Sequence, residues 1–377
     1  MRLRTLRRAR RGVLARLAYA SRYVVPGGRR VPKDPPESIL IVSTTGYGDT
    51  LWSIPAISKV RQRYPDAYVA ALTSEVSCEI LRYQPAIDEF FRYGVRFDAL
   101  LRWPRLIRQL YSRRFDRTYF LHFSDSSVVS LCLFAQARGF HGAGGTLRGL
   151  DGYFDYIAPE IQHDFVERRM TTVGSFDHTE AEKDIQILLG PEDSAARDDF
   201  LRDAGLTARD SRPWIGFQVG SRLAEKRWPS ERFVALGQRC RQELDARVFV
   251  FGGPGESGLV GRVCAQIADS VPALGPPLTL RAGMALIGDM NAFVTNDTGP
   301  MHVALAERIP TVALFGCTPV FSCGHYTHQS HVRAIKSPRD DAGAMGEISV
   351  DQVWTALTEL LTRYARPSGV RPARARE

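Results

Sequence analysis

The sequence predicts an α/β protein made of two Rossmann-like halves, and three observations predict it. From residue 39 onward, short apolar runs of strand length alternate with longer helical stretches. Several of the runs end in polar or glycine-bearing turns, at residues 44–49, 218–229, 251–256 and 296–300, as strands do when they feed helices in a parallel sheet. A polar stretch without period-two patterning, residues 142–211, separates the two series. A length of 377 residues with 44% hydrophobic content is enough for two cores.

The first 30 residues hold ten arginines and no acidic residue, so the formal charge of +9 belongs to this arm; the rest carries 40 basic against 41 acidic residues. A near-neutral body has no general nucleic-acid footprint. The arm is too interrupted for a transmembrane span, and Arg16 breaks the apolar region a signal peptide would need. On a helical wheel Leu3, Leu6, Val13, Leu14, Leu17 and Val24 gather loosely on one side, with Arg10 among them. Weak attachment to an anionic membrane face is the expected role, against that of a frayed tail. Six scattered cysteines without a C-x-x-C pair indicate neither a zinc site nor a disulfide framework, and suit a reducing cytoplasm.

After a proline-rich connector at residues 31–37, a strand at 39–43, a turn at 44–49, a helix at 50–63 and a strand at 68–73 form a βαβ unit. Runs at 89–93 and 118–123 alternate with helices near 100–111 and 128–137. The connecting stretch is expected to hold one helix, near 179–189. In the second series 214–218, 247–251, 293–295 and 311–315 read as strands and 230–244 as a helix. The expected organisation is an arm and connector at 1–38, a first domain at 39–190, a second at 191–350, and a C-terminal helix with a basic tail at 351–377. Ligands are expected in a cleft, at the carboxyl ends of the strands.

Chemistry-bearing residues cluster at those strand ends. Asp49 follows the first strand in Thr44-Thr45-Gly46-Tyr47-Gly48-Asp49, a turn without the third glycine of the dinucleotide fingerprint, which disfavours a nicotinamide cofactor. Its carboxylate suits helix capping or general base work, and position alone favours capping. Ser221, Arg222, Lys226 and Arg227 follow another strand, where a diphosphate could be held. Glu256, after the glycines at 252, 253 and 255, is placed to accept from ribose hydroxyls, although a tight turn needs the same glycines. Asp297 or Thr298 can cap a helix beginning near Pro300, whose free amides attract anions, and His302 follows closely.

The blocks GYGDTLWSIPAISKVRQRYP, GSRLAEKRWPSERF and FVTNDTGPMHVALAERIPTVALFG, in that order, resemble the ADP-heptose:lipopolysaccharide heptosyltransferase family, glycosyltransferase family 9. The resemblance covers roughly residues 39–326 and implies a GT-B fold, two Rossmann-like domains facing each other across a cleft, with the acceptor on the first and the nucleotide-sugar donor on the second. It implies inverting transfer of heptose from ADP-heptose to a lipopolysaccharide core or related glycan. Carried over by position, Asp49 is the general base and Lys226 stabilises the leaving diphosphate. Ser221 and Arg222 meet donor phosphate, Glu256 the ribose, and Asp297, Thr298, Gly299 and His302 the sugar hydroxyls and phosphate. No Asp-x-Asp triplet is present, so catalysis is expected without metal or other cofactor. Tyr47 beside the base and the arginine-rich arm depart from the family pattern and point to a non-standard acceptor. Three alternatives stand beside this reading. One is a same-fold transferase of another sugar to a protein or small metabolite, another a non-catalytic sugar-nucleotide-binding module, and the third a Rossmann oxidoreductase.

Overall fold

The structure is a computed structural model that describes residues 14–21, 31–94, 99–123, 125–162, 164–206, 212–253, 255–276, 278–320 and 329–364. The arm's residues 1–13 and 22–30, with Leu3, Leu6, Arg10, Val13 and Val24, lie outside these, as does the expected basic tail after residue 364. The chain divides into two compact units, Met1–Ile185 and Gln186–Glu377.

The first unit opens with helix α1 (residues 14–21). It continues as β1 (Ser38–Ser43), α2 (Tyr47–Leu51), α3 (Ile54–Arg63), β2 (Tyr68–Thr73), α4 (Glu75–Leu81), β3 (Glu89–Arg92), α5 (Ala99–Arg113), β4 (Arg117–His122), α6 (Ser127–Phe134), β5 (Phe140–Ala143), β6 (Tyr156–Ala158) and α7 (Phe165–Thr172). Its six strands form one parallel sheet in the order β3-β2-β1-β4-β5-β6. Every residue of β1 is buried, as expected of a central parallel strand covered on both faces.

The second unit repeats this plan with α8 (Pro191–Asp203), β7 (Trp214–Gln218), α9 (Ser230–Leu244), β8 (Arg247–Phe251), α10 (Ser257–Cys264), β9 (Val271–Ala273), α11 (Leu280–Gly288), β10 (Ala292–Asn296), α12 (Gly299–Ala306), β11 (Thr311–Phe315), β12 (Val332–Lys336) and α13 (Val350–Arg363). The order β12-β11-β10-β7-β8-β9 is the same winding, and all its pairings are parallel. In both sheets the winding reverses between two central strands, β1 and β4 in the first and β7 and β10 in the second, and ligands of such sheets bind at that reversal.

Four expectations are corrected. The single helix at 50–63 is two, because Pro55 has no N–H to continue the ladder from α2; the chain breaks at Trp52 and Ser53, and the Ser53 hydroxyl donates to the Asp49 carbonyl at 3.0 Å. The stretch expected to lack strands contains β6 and the end of β5. It also holds α7 and α8, while residues 179–189 contain only a 3₁₀ turn, Ala181–Lys183. The charged side chains there pair outward instead, Lys183 with Glu167 of α7 at 2.7 Å and Glu182 with Lys59 of α3. Finally, α1 packs through Ala15 and Ala18, both fully buried in the first unit's core, and not through Leu17, which is 61% exposed. Small side chains let the helix backbone approach the core, where Tyr19 meets Tyr153 at 5.5 Å between ring centroids.

The units divide five residues before the expected boundary at 190. Arg281 of α11 explains where the second begins: its guanidinium donates to the Leu188 carbonyl at 2.5 Å while pairing with Asp193 at 2.8 Å, tying the start of the second unit to its body.

At the centre of the second sheet Gly216 of β7 leaves no room for a side chain: a Cβ there would lie 2.4 Å from the Phe293 ring and 3.1 Å from Phe251. The expected result of Gly216→Ala is a loss of about 1–3 kcal/mol from overpacking, read as a lower urea midpoint at unchanged slope.

Candidate active site

In the first unit, the carboxyl end of β1 runs through Thr44 and Thr45 into α2, and β4 ends at His122 beside it. The two strand ends are tied together by the Thr44 N–H donating to the His122 carbonyl at 3.1 Å. Gly46 is the N-cap of α2 and supplies no side chain, and no side-chain bond caps this helix. Asp49, in the first turn, therefore does not cap α2, which corrects the reading from position alone. Its Oδ1 instead accepts from Arg169 of α7 at 3.1 Å and lies 3.6 Å from His122 Nε2.

The electrostatics of this corner follow from burial. Arg169 is fully enclosed, and burial pulls its guanidinium down to about 10 although Asp49 opposes the shift, so it remains a cation at neutral pH. Burial first, and then the Arg169 charge, push His122 down to about 4. His122 Nδ1 lies 2.9 Å from the Thr45 hydroxyl, and in the neutral tautomer that accepts there the Nε2–H faces Asp49. Asp49 itself keeps 29% of its side chain exposed.

In the second unit the loop after β7 and the turn after β10 meet at the corresponding position. Lys226, in a single 3₁₀ turn, places Nζ 2.5 Å from Asp297 Oδ2. Asn296 organises the junction: its Oδ1 accepts from the Trp228 N–H at 2.9 Å, and its Nδ2 lies 3.1–3.3 Å from the carbonyls of Gln218, Val219 and Gly220. Thr298 is the N-cap residue of α12, but its hydroxyl donates to the Asn296 carbonyl at 3.3 Å and accepts from no helix amide. Gly299 opens the helix, Pro300 follows it, and His302 is buried.

Glu256, at the N-cap position of α10, accepts from the Gly253 N–H at 2.7 Å and from Arg227 at 3.3 Å. Its carboxylate fills the space over Gly220, where a Cβ would lie 1.8 Å from Oε2. Arg227 also donates to the Ser221 carbonyl at 2.8 Å, closing the loop. Ser221 is buried and Arg222 exposed.

The structure thus gathers Ser221, Lys226, Glu256 and Asp297 around the β7 and β10 ends and sets Asp49 at the β1 and β4 ends. Sequence reasoning missed Arg169 and His122, and it gave Gly220 and Asn296, which lie inside the motifs it read, no role of their own. The position of His122 at the end of a predicted strand was a usable signal for one of them. Among the described residues no group of histidine, cysteine, aspartate and glutamate is arranged to hold a metal ion.

A family model described as glycosyltransferase family 9 (heptosyltransferase) matches residues 103–341. The chain is 27% identical over 288 residues to lipopolysaccharide heptosyltransferase 2 of Salmonella typhimurium, covering 74% of this chain and 82% of that one. To lipopolysaccharide heptosyltransferase 1 of Pseudomonas aeruginosa it is 26% identical, covering 78% and 83%. Among solved structures it is similar to a family 9 glycosyltransferase of Veillonella parvula, with a TM-score of 0.74 at 23% identity over 87% of this chain and 97% of that one. The fold is shared also with Escherichia coli ADP-heptose heptosyltransferase II, with a TM-score of 0.71 at 22% identity over 86% and 99%. The expected fold class, α/β with two Rossmann-like halves, is borne out. Lys226, Glu256 and Asp297 fall within the matched stretch, and Asp49 precedes it. Because that stretch takes in well over half of its length, the chain belongs to glycosyltransferase family 9, the heptosyltransferases.

Proposed function

We propose that this glycosyltransferase moves heptose from ADP-heptose to a lipopolysaccharide core or related glycan, with inversion at the anomeric carbon and without a metal ion. One observation supports the reading above all. In a chain of this family, a partly open carboxylate stands at one sheet reversal, and a lysine beside the turn into a helix stands at the other.

Asp49 takes the proton from the acceptor hydroxyl as that oxygen attacks the anomeric carbon. The bond to the diphosphate breaks and its electron pair leaves with ADP. Lys226 and the amides at the start of α12 stabilise the departing charge, the work a metal ion does elsewhere. Ser221 and Arg222 hold the donor phosphates and Glu256 the ribose, while Asp297, Thr298, Gly299 and His302 form the sugar and phosphate wall. Lys226 is already aligned by Asp297, so its ammonium is ordered before donor arrives.

The arm is proposed to rest on the inner face of the cytoplasmic membrane. No helix among the described residues is long and apolar enough to cross a membrane. Helix α1 packs into the first unit's core, and residues 1–13 before it, which carry six arginines, are the part of the arm proposed for this role.

Asp49→Asn is expected to lower turnover about 10²–10⁴-fold with ADP-heptose binding intact, in mass-spectrometric assays of heptose transfer with titration of donor; full turnover would remove the base assignment. Saturating EDTA should leave the rate unchanged, and a loss restored by added magnesium would refute metal independence. Deleting residues 1–13 should weaken sedimentation with anionic vesicles at unchanged turnover on a soluble acceptor, whereas undiminished sedimentation would end the membrane role.

A further inference from the structure

We propose that Arg169 is a positioning residue for Asp49, gripping the carboxylate through Oδ1 so that Oδ2 is the atom that takes the acceptor proton. The inference deepens the reading of Asp49 as general base and rests on it.

The pair is asymmetric. Arg169 has no exposed side-chain surface, whereas Asp49 keeps 29% of its own. Enclosing a guanidinium costs several kcal/mol of desolvation, and a pair serving stability alone is better repaid when both partners are enclosed. The second unit contains that arrangement: Arg281 and Asp193 are 2% and 4% exposed.

The guanidinium is fixed in three directions. Nη2 donates to Asp49 Oδ1 at 3.1 Å, Nε to the Ser53 hydroxyl at 3.2 Å and Nη1 to the Phe165 carbonyl at 2.7 Å. Ser53 in turn donates to the Asp49 carbonyl, so Arg169 holds the aspartate by its side chain and, through Ser53, by its backbone. The Trp52 ring lies 5.5 Å from the guanidinium carbon and itself packs on Phe165 at 4.6 Å. A planar fork suits this site, and the point charge of a lysine cannot serve all three acceptors in the same geometry. His122 approaches the same oxygen from β4 at 3.6 Å. Both contacts fall on Oδ1, and no hydrogen bond among the described residues reaches Oδ2.

The test uses the full chain with ADP-heptose and a glycan acceptor, comparing Arg169→Met, Arg169→Lys, Asp49→Asn and the double variant Asp49→Asn with Arg169→Met. Freed of its tether, a catalytic group displaced by about 1 Å loses up to about 10²-fold in rate, so Arg169→Met should lower kcat by roughly that factor at unchanged KM for donor. Arg169→Lys keeps the charge but not the planar fork and should show an intermediate kcat. In the Asp49→Asn background Arg169→Met should cost nothing further.

An equal loss in both backgrounds, or a raised KM for donor at unchanged kcat in Arg169→Met, overturns the positioning role and leaves Asp49 as base. Full turnover by Asp49→Asn overturns the base reading and the positioning role together. If Arg169→Met fails to fold, as circular dichroism would reveal, Arg169→Lys decides alone, and wild-type kcat in that variant overturns the inference.

Discussion

Each unit begins its sheet in the middle and winds outward first to one side and then to the other, with crossovers of one hand laying helices on both faces. Where the winding reverses, the helices that follow the two central strands depart to opposite faces, and the carboxyl ends of those strands stay uncovered. The remaining features of the chain depend on this topological constraint. Asp49 and His122 sit at one such edge, and Gln218 to Ser221, Asn296 and Asp297 at the other. The central strands are nearly all apolar because their two faces are covered, and polarity appears where they end. Thr44, Thr45, Gln218 and Asn296 are buried polar residues at those ends; the Thr45 hydroxyl bonds His122, and the Gln218 and Asn296 amides bond backbone carbonyls of the loop after β7.

What the sequence made legible follows the same division. β1, β2, β7, β8, β10 and β11 are continuous apolar runs closed by turn residues, and they were readable as strands. β6 and β9, three residues each at sheet edges, bury too little surface to impose a pattern. Helices α7 and α8 were missed although their starts are written in the chain. Asp164 caps α7 by accepting from the Val166 and Glu167 amides, and Asp193 reaches back to the Gly190 amide at the start of α8. The candidate site residues were found where short motifs follow strands. Arg169 was not, because its meaning comes from a partner 120 positions away, in a helix whose sequence gives no sign of it.

The buried cations divide by what they hold. Arg281 is enclosed with an enclosed carboxylate and ties down backbone at Leu188, which is the work of a fastening. Arg169 is equally enclosed, but its aspartate faces outward. Between them they show that burial of a charge is not by itself a mark of function; the exposure of the partner separates the two cases.

Asn296 carries a consequence for what this chain can become by mutation. One side chain accepts from the Trp228 amide and donates among three carbonyls, so it knits the end of β10 to the loop that presents Lys226. Aspartate has the right length but turns an acceptor toward those carbonyls, leucine has neither kind of atom, and glutamine is a carbon too long for the space. The genetic alphabet at this position is therefore reduced to almost a single letter, and the loops on either side can drift in sequence only so far as they keep their backbone where that letter can reach it.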